Sequence, residues 1–192
     1  MEFKPAAGDE EVFLFLLRNE SNVPMEQCKL IATAYDKEGR VLATAEAEIK
    51  PNLIEAGEPG FGVMLFGQAS PKGYERMAYS CELESHLVGL PDLDPVRLEV
   101  SRHQMRHDSK GSYVTGEAKN VSDVTLDSGV VSVASFKAGR MLSADTGTLR
   151  RSKLAPGESS PFSVQLGLDS FQQKRLAATG CVVIAEGWAQ EK

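Results

Sequence analysis

Reactive and membrane-spanning features are scarce in this chain. Its 192 residues include three cysteines, three histidines and one tryptophan. Three cysteines cannot form the even, closely spaced framework of a disulfide-stapled domain. Cys28 and Cys81 could pair within the first half, but Gly129 stands where Cys28 aligns in the second. Free, buried thiols are therefore the expectation. The longest apolar run, Val12-Phe-Leu-Phe-Leu-Leu17, has six residues, against the ~20 that a helix needs to cross a bilayer. It reads as a buried strand. Met1 is not followed by a basic stretch and an apolar core, so no signal peptide is in view. Neither Gly-x-Ser-x-Gly nor a glycine-rich phosphate loop occurs.

The histidines do not suggest a metal site. His103 and His107 lie four apart on one face of an expected strand, with Met105 between them. Their spacing along an extended chain is roughly 13 Å, too far for one ion. His86 falls in a linker. Cys81 and Cys181 sit mid-strand among apolar neighbours, where a thiol is inert rather than ionised. No enzyme chemistry and no cofactor are expected.

Positive charge is also in short supply, and unevenly so. The net charge is −6. Residues 1–88 hold 8 Lys/Arg against 15 Asp/Glu, a net −7, and residues 89–192 hold 13 against 12, a net +1. An acidic first half argues against nucleic acid as a partner.

What the chain does have is a repeat. Asn19-Glu-Ser21-Asn-Val23 recurs as Asn120-Val-Ser122-Asp-Val124, and Gly57-Glu58 as Gly157-Glu158. Phe61, Val63 and Leu65 are echoed by Phe162, Val164 and Leu166, and Cys81 falls opposite Cys181. Gly39 to Gly57 spans 18 residues, as does Gly139 to Gly157. Such register implies two copies of one domain, expected over 1–88 and 89–192. A linker over 85–95 carries Pro91 and Pro95.

Nearly everything reads as strand and turn. Strands are expected over 11–18, 27–35, 40–49, 61–66 and 77–83 in the first copy. In the second they are expected over 96–105, 113–119, 128–136, 140–149, 162–166 and 178–185. The matched turns are Asp36-Lys-Glu-Gly39 with Lys137-Ala-Gly139, and Glu55-Ala-Gly57-Glu58 with Ala155-Pro-Gly157-Glu158. Only 71–75 and 170–175 hint at a helical turn. By the repeat spacing, the counterpart of the strand over 96–105 would begin before Met1, so the first copy is expected to lack its first strand. The pattern predicts an all-β chain of two tandem antiparallel β-sandwiches.

These residues resemble a known family. Gly116-Glu-Ala-Lys-Asn120-Val-Ser122, then a β-rich strand, an aromatic, a glycine turn and Leu154-Ala-Pro-Gly-Glu158 before Phe162-Ser-Val164, is similar to the FxLYD domain. The naming motif is eroded to Ala-Thr-Ala-Tyr-Asp at 32–36 and Val-Ala-Ser-Phe-Lys at 133–137. The resemblance covers nearly the whole chain. It implies an immunoglobulin-like sandwich in each half, and an envelope-type bacterial or archaeal protein without catalytic residues.

Three constellations remain as candidate sites. Asp92 and Asp94 in the linker could supply oxygens to calcium or another small ligand, or cap a turn. Arg150, Arg151 and Lys153 form a basic cluster on a turn, suited either to an acidic partner or simply to water. Asn19 and Asn120 both satisfy N-x-Ser, but their matched positions point to a structural use. The leading expectation is a non-enzymatic interaction or spacer module whose partner is another protein or a second copy. The alternative is a calcium or small-ligand protein with its site at the linker.

Overall fold

The structure, a computed structural model, describes residues 2–5, 11–66, 73–83, 95–109, 111–167 and 178–189. All regular elements among them are strands, and the pairings between the long strands are antiparallel. Part of the 71–75 segment forms a turn at Gly73; the rest of it and 170–175 lie outside the described residues. The chain divides into two compact units, Met1–Lys50 with Ile54–Glu84, and Pro51–Leu53 with Ser85–Lys192.

In the first unit, β1 (Glu2–Pro5), β2 (Glu11–Arg18) and β7 (Pro59–Phe66) form one sheet in the order β1-β2-β7. A second sheet runs β5-β4-β8, from β4 (Cys28–Tyr35), β5 (Val41–Glu48) and β8 (Arg76–Leu83). The short β3 (Met25–Glu26) and β6 (Leu53–Ile54) pair with each other. Along β4 burial alternates residue by residue, as expected of a strand with one face on a core. Phe13 and Phe15 of β2, Leu30 and Ala32 of β4, Ala43 and Ala45 of β5, and Met64 and Phe66 of β7 fill the space between the sheets. Phe13 and Phe66 meet edge-to-face, centroids 5.1 Å apart, a favoured aromatic geometry.

The second unit is one six-stranded sheet in the order β12-β11-β14-β9-β10-β13. Its strands are β9 (Val96–Asp108), β10 (Gly111–Lys119), β11 (Ser128–Lys137), β12 (Arg140–Thr148), β13 (Ser159–Leu166) and β14 (Gly180–Trp188). Strand β9 serves two neighbours. Val96–Leu98 pair with β14, and the stretch from Glu99 onwards pairs with β10. A bulge opposite Gly116 lets it turn: the register shifts between Thr115 and Glu117, and Arg102 takes φ 51°. Bulges bend a strand and raise its twist. The sheet thereby folds over a core of Leu98, Val114, Val131, Val133, Phe162, Val164, Leu166 and Ala185.

Both units close alike where β5 or β12 ends. Lys50 N–H donates to the Phe61 carbonyl and Phe61 N–H to the Lys50 carbonyl, each at 2.8 Å. Leu149 bridges Phe162, and Arg150 N–H donates to the Pro161 carbonyl at 3.1 Å. The turns follow the glycines. Glu58 N–H donates to the Glu55 carbonyl and Glu158 N–H to the Ala155 carbonyl, both at 3.0 Å. Gly57 and Gly157 have φ 80° and 81°, the third position of a type II turn. The first hairpin is a Gly39 bulge turn, with Asp36 Oδ1 accepting from Glu38 N and Arg40 N at 3.0 and 2.8 Å. The second is a residue shorter. Lys137 pairs Arg140, and Ala138 and Gly139 both take positive φ, 50° and 78°.

Strand pairing corrects two of the sequence matches. Arg18 faces Pro59, and Lys119 faces Ser159. Arg18 and Lys119 each precede the matched asparagine, so Phe162 corresponds to Gly62 and not to Phe61. The sequence match needed one inserted residue between Glu158 and Phe162, and the strands contain none. A one-residue slip exchanges the faces of a strand. Phe162, Val164 and Leu166 point into the second core, while Met64 and Phe66 do so in the first. Phe61, Val63 and Leu65 face the other way, and Leu65 is 52% exposed. Likewise Leu30 faces Cys81 whereas Val131 faces Ala185. Cys81 thus corresponds to Ala185, Met77 to Cys181, and Glu82 to Glu186.

The first copy holds a first strand, β1, paired with β2 as β9 pairs with β10. It has four residues against thirteen in β9. Among the described residues no strand of the first unit takes the place of Val96–Leu98 beside β14.

Candidate interaction edge

Each repeated asparagine builds the same clasp. Asn19 Nδ2 donates to the carbonyls of Val23 and Ile54 at 2.8 and 2.9 Å, and its Oδ1 accepts from Ser21 N and Oγ at 3.0 and 2.7 Å. Asn120 Nδ2 donates to Val124 and Leu154 at 2.8 and 3.0 Å, and its Oδ1 accepts from Ser122 N and Oγ at 3.0 and 2.7 Å. Both side chains are buried. Both amide hydrogens are spent on backbone, so N-x-Ser here is a turn device and cannot take a glycan in the folded chain.

The basic cluster is held by its backbone and open to water. Arg150, Arg151 and Lys153 are all exposed, on the segment between β12 and β13. Arg151 N–H donates to Ser160 Oγ at 2.9 Å. Lys153 Nζ lies 3.5 Å from Asp127 Oδ1, an exposed pair worth under about 1 kcal/mol. Asp92, Asp94 and His86 lie outside the described residues. His103 and His107 are exposed on β9, and His107 Nδ1 is 2.8 Å from Ser112 Oγ.

The cysteines depart from the sequence expectation. All three are free thiols, but only Cys28 is buried; Cys181 is half-buried and Cys81 exposed. Burial pushes each thiol above its ordinary range, and for Cys28 the neighbouring Cys81 adds to this. At neutral pH they stay protonated and are poor nucleophiles. Among the described residues β4 is the one strand neighbour of β8, which carries Cys81.

One buried ionic site escaped the sequence reading. Glu186 is 1% exposed, and its Cα partner on β9 is Arg97. Within the second unit its carboxylate accepts from Asn52 N at 2.9 Å and Leu53 N at 2.7 Å. Arg97 donates to the Leu53 carbonyl at 2.7 Å. An amide sits on each carboxylate oxygen, so the site ties chain segments together. The available signal was a glutamate inside an otherwise apolar strand.

The exposed feature that remains is the edge of β8. Its partner is β4, with Leu30 facing Cys81, Ala32 facing Tyr79 and Ala34 facing Met77. Those β4 residues are buried, so Met77, Tyr79 and Cys81 lie on the core-facing side. Yet Tyr79 is 48% exposed. The corresponding Cys181, Val183 and Ala185 of β14 are half-buried or buried, packed in one core with Val96, Leu98 and Val100 of β9. On the opposite side of β8, Arg76 lies over the Tyr35 ring at 4.1 Å, a cation–π contact, and Glu82 is exposed. Among the described residues no strand pairs with the other side of β8, and an edge strand presents N–H and C=O groups to an extended chain.

No family model matches the chain, and a search of curated proteins finds no match. Among the described residues no helix is long and apolar enough to cross a membrane.

Proposed function

We propose that this chain is a non-enzymatic protein-interaction module of two tandem immunoglobulin-like sandwiches, and that it takes a partner strand on the edge of β8. The observation that carries this reading is the contrast between β8 and β14. The same strand position is covered by Val96–Leu98 in the second unit and, among the described residues, open in the first. Backbone pairing along an edge supplies affinity, and alternate side chains supply selectivity. Here the selective side would be Met77, Tyr79 and Cys81. The resemblance to FxLYD domains adds the expectation of an envelope-type setting.

A photo-crosslinking residue at position 79 tests this in extract of the source cells. It should trap a polypeptide that the same residue at the exposed Val124 does not. Equal labelling at both positions, or none at either, would overturn the reading.

A further inference from the structure

We infer that the partner strand on β8 is β8 of a second copy of this chain, paired antiparallel about a two-fold axis through Tyr79; this rests on the edge-pairing function proposed above. A two-fold interface must be complementary to itself, and β8 is. With Tyr79 facing Tyr79, Arg76 faces Glu82 of the second copy and Glu82 faces its Arg76. Met77 faces Cys81 in the same way, and Ala78 faces Ser80. The charged pairs share the outer side of the strand, and Met77, Tyr79 and Cys81 share the core-facing side.

The second unit shows that this pairing suits the position. Glu82 corresponds to Glu186, and the residue across from Glu186 on the neighbouring strand is an arginine, Arg97. Self-pairing gives Glu82 the same neighbour type. On the other side, the new strand covers Tyr79, Met77 and Cys81 as Val96, Leu98 and Val100 cover their counterparts. The result is a continuous six-stranded sheet, β5-β4-β8 joined to its copy. One strand pair is a small interface, so dimerisation is weak and concentration-dependent.

Charge reversal on the 192-residue chain tests this, with light scattering after size exclusion across a concentration series. The native chain should approach the dimer mass at the highest concentrations. Like charges directly opposite are unfavourable, so Arg76→Glu and Glu82→Arg should each weaken dimerisation about tenfold or more. The double variant should restore it. Circular dichroism of each single variant separates lost pairing from lost folding, and Glu82→Arg leaves the Tyr35 stack untouched. A dimer insensitive to both reversals would overturn the inference, because its interface would lie elsewhere. A monomer at every concentration would also overturn it. In that case a synthetic peptide of residues 95–101 separates the two ideas. Amide exchange protection of β8 by the peptide would keep the edge-pairing function, and no protection would remove both.

Discussion

Among the described residues the first unit leaves β8 with one strand neighbour, whereas the second covers the equivalent strand with the beginning of β9. The two copies share almost everything that closes a turn. The asparagine clasps agree bond for bond and the type II turns agree. They differ at the edge. Turn chemistry is local and survives divergence of the sheets, while edge coverage depends on one distant segment reaching the right strand. A repeat can therefore keep its fold and change what it offers to other molecules.

That comparison can be broken most sharply on the paired strands β7 and β13. Leu65 and Leu166 match in sequence, but Leu65 is 52% exposed and Leu166 is 3% exposed. Leu166→Ala should cost about 3 kcal/mol, as burial and cavity formation require, and Leu65→Ala less than about 0.5 kcal/mol. Denaturant midpoints for the two variants check this, and comparable losses would mean that the sequence match, not the strand register, describes the fold. The clasps should behave alike instead. Asn19→Ala and Asn120→Ala each remove two donated and two accepted hydrogen bonds made by a buried side chain, and each should cost about 2 kcal/mol. Hydrogen exchange read by mass spectrometry should place each loss in its own unit.

A smaller effect separates the hairpins. Ala138 holds a positive φ that disfavours residues with a Cβ, and asparagine tolerates it better. Ala138→Asn should raise the melting midpoint, by about 0.5 kcal/mol of stability. No such gain is open to the first hairpin, where the strained positions are filled by Gly39 alone. The smallest difference is electrostatic. Partial desolvation pushes the Asp36 carboxyl up, but hydrogen bonds from Arg40 and Glu38 outweigh it and hold the group below its ordinary value. A lowered folded-state value means stability present above the usual carboxylate range near about pH 4 and lost as pH falls through the folded value. Asp36→Asn should therefore trail the native chain at neutral pH and converge with it in acid, as thermal melts across that range would report.

Composition and turn residues made much of this fold legible. Gly39, Gly57, Gly139 and Gly157 announce their turns because few other residues tolerate the backbone there. Asn19 and Asn120 announce a buried hydrogen-bond role by recurring in step. Register was less legible. Phe61-x-Val63-x-Leu65 and Phe162-x-Val164-x-Leu166 read identically, and only hydrogen-bond pairing decides which face each presents. The edge of β8 was not legible either, since it is set by which strands pair beside it and not by the residues of β8. Glu186 and Arg97 were missed because their neighbours across the sheet are far away in sequence.

The placement of β9 beside β14 also has a mechanical meaning. The chain enters the sheet of the second unit at Val96 and leaves β14 at Trp188, and the two strands run antiparallel with Val96 beside Gly187. Tension between these points would open the pairs Val96–Gly187, Arg97–Glu186 and Leu98–Ala185 one after another, like a zip, rather than loading them together. The first event under a small pulling force would bare the edge of β14. A stretched second unit would then have β14 at its edge, as β8 stands at an edge among the described residues of the first.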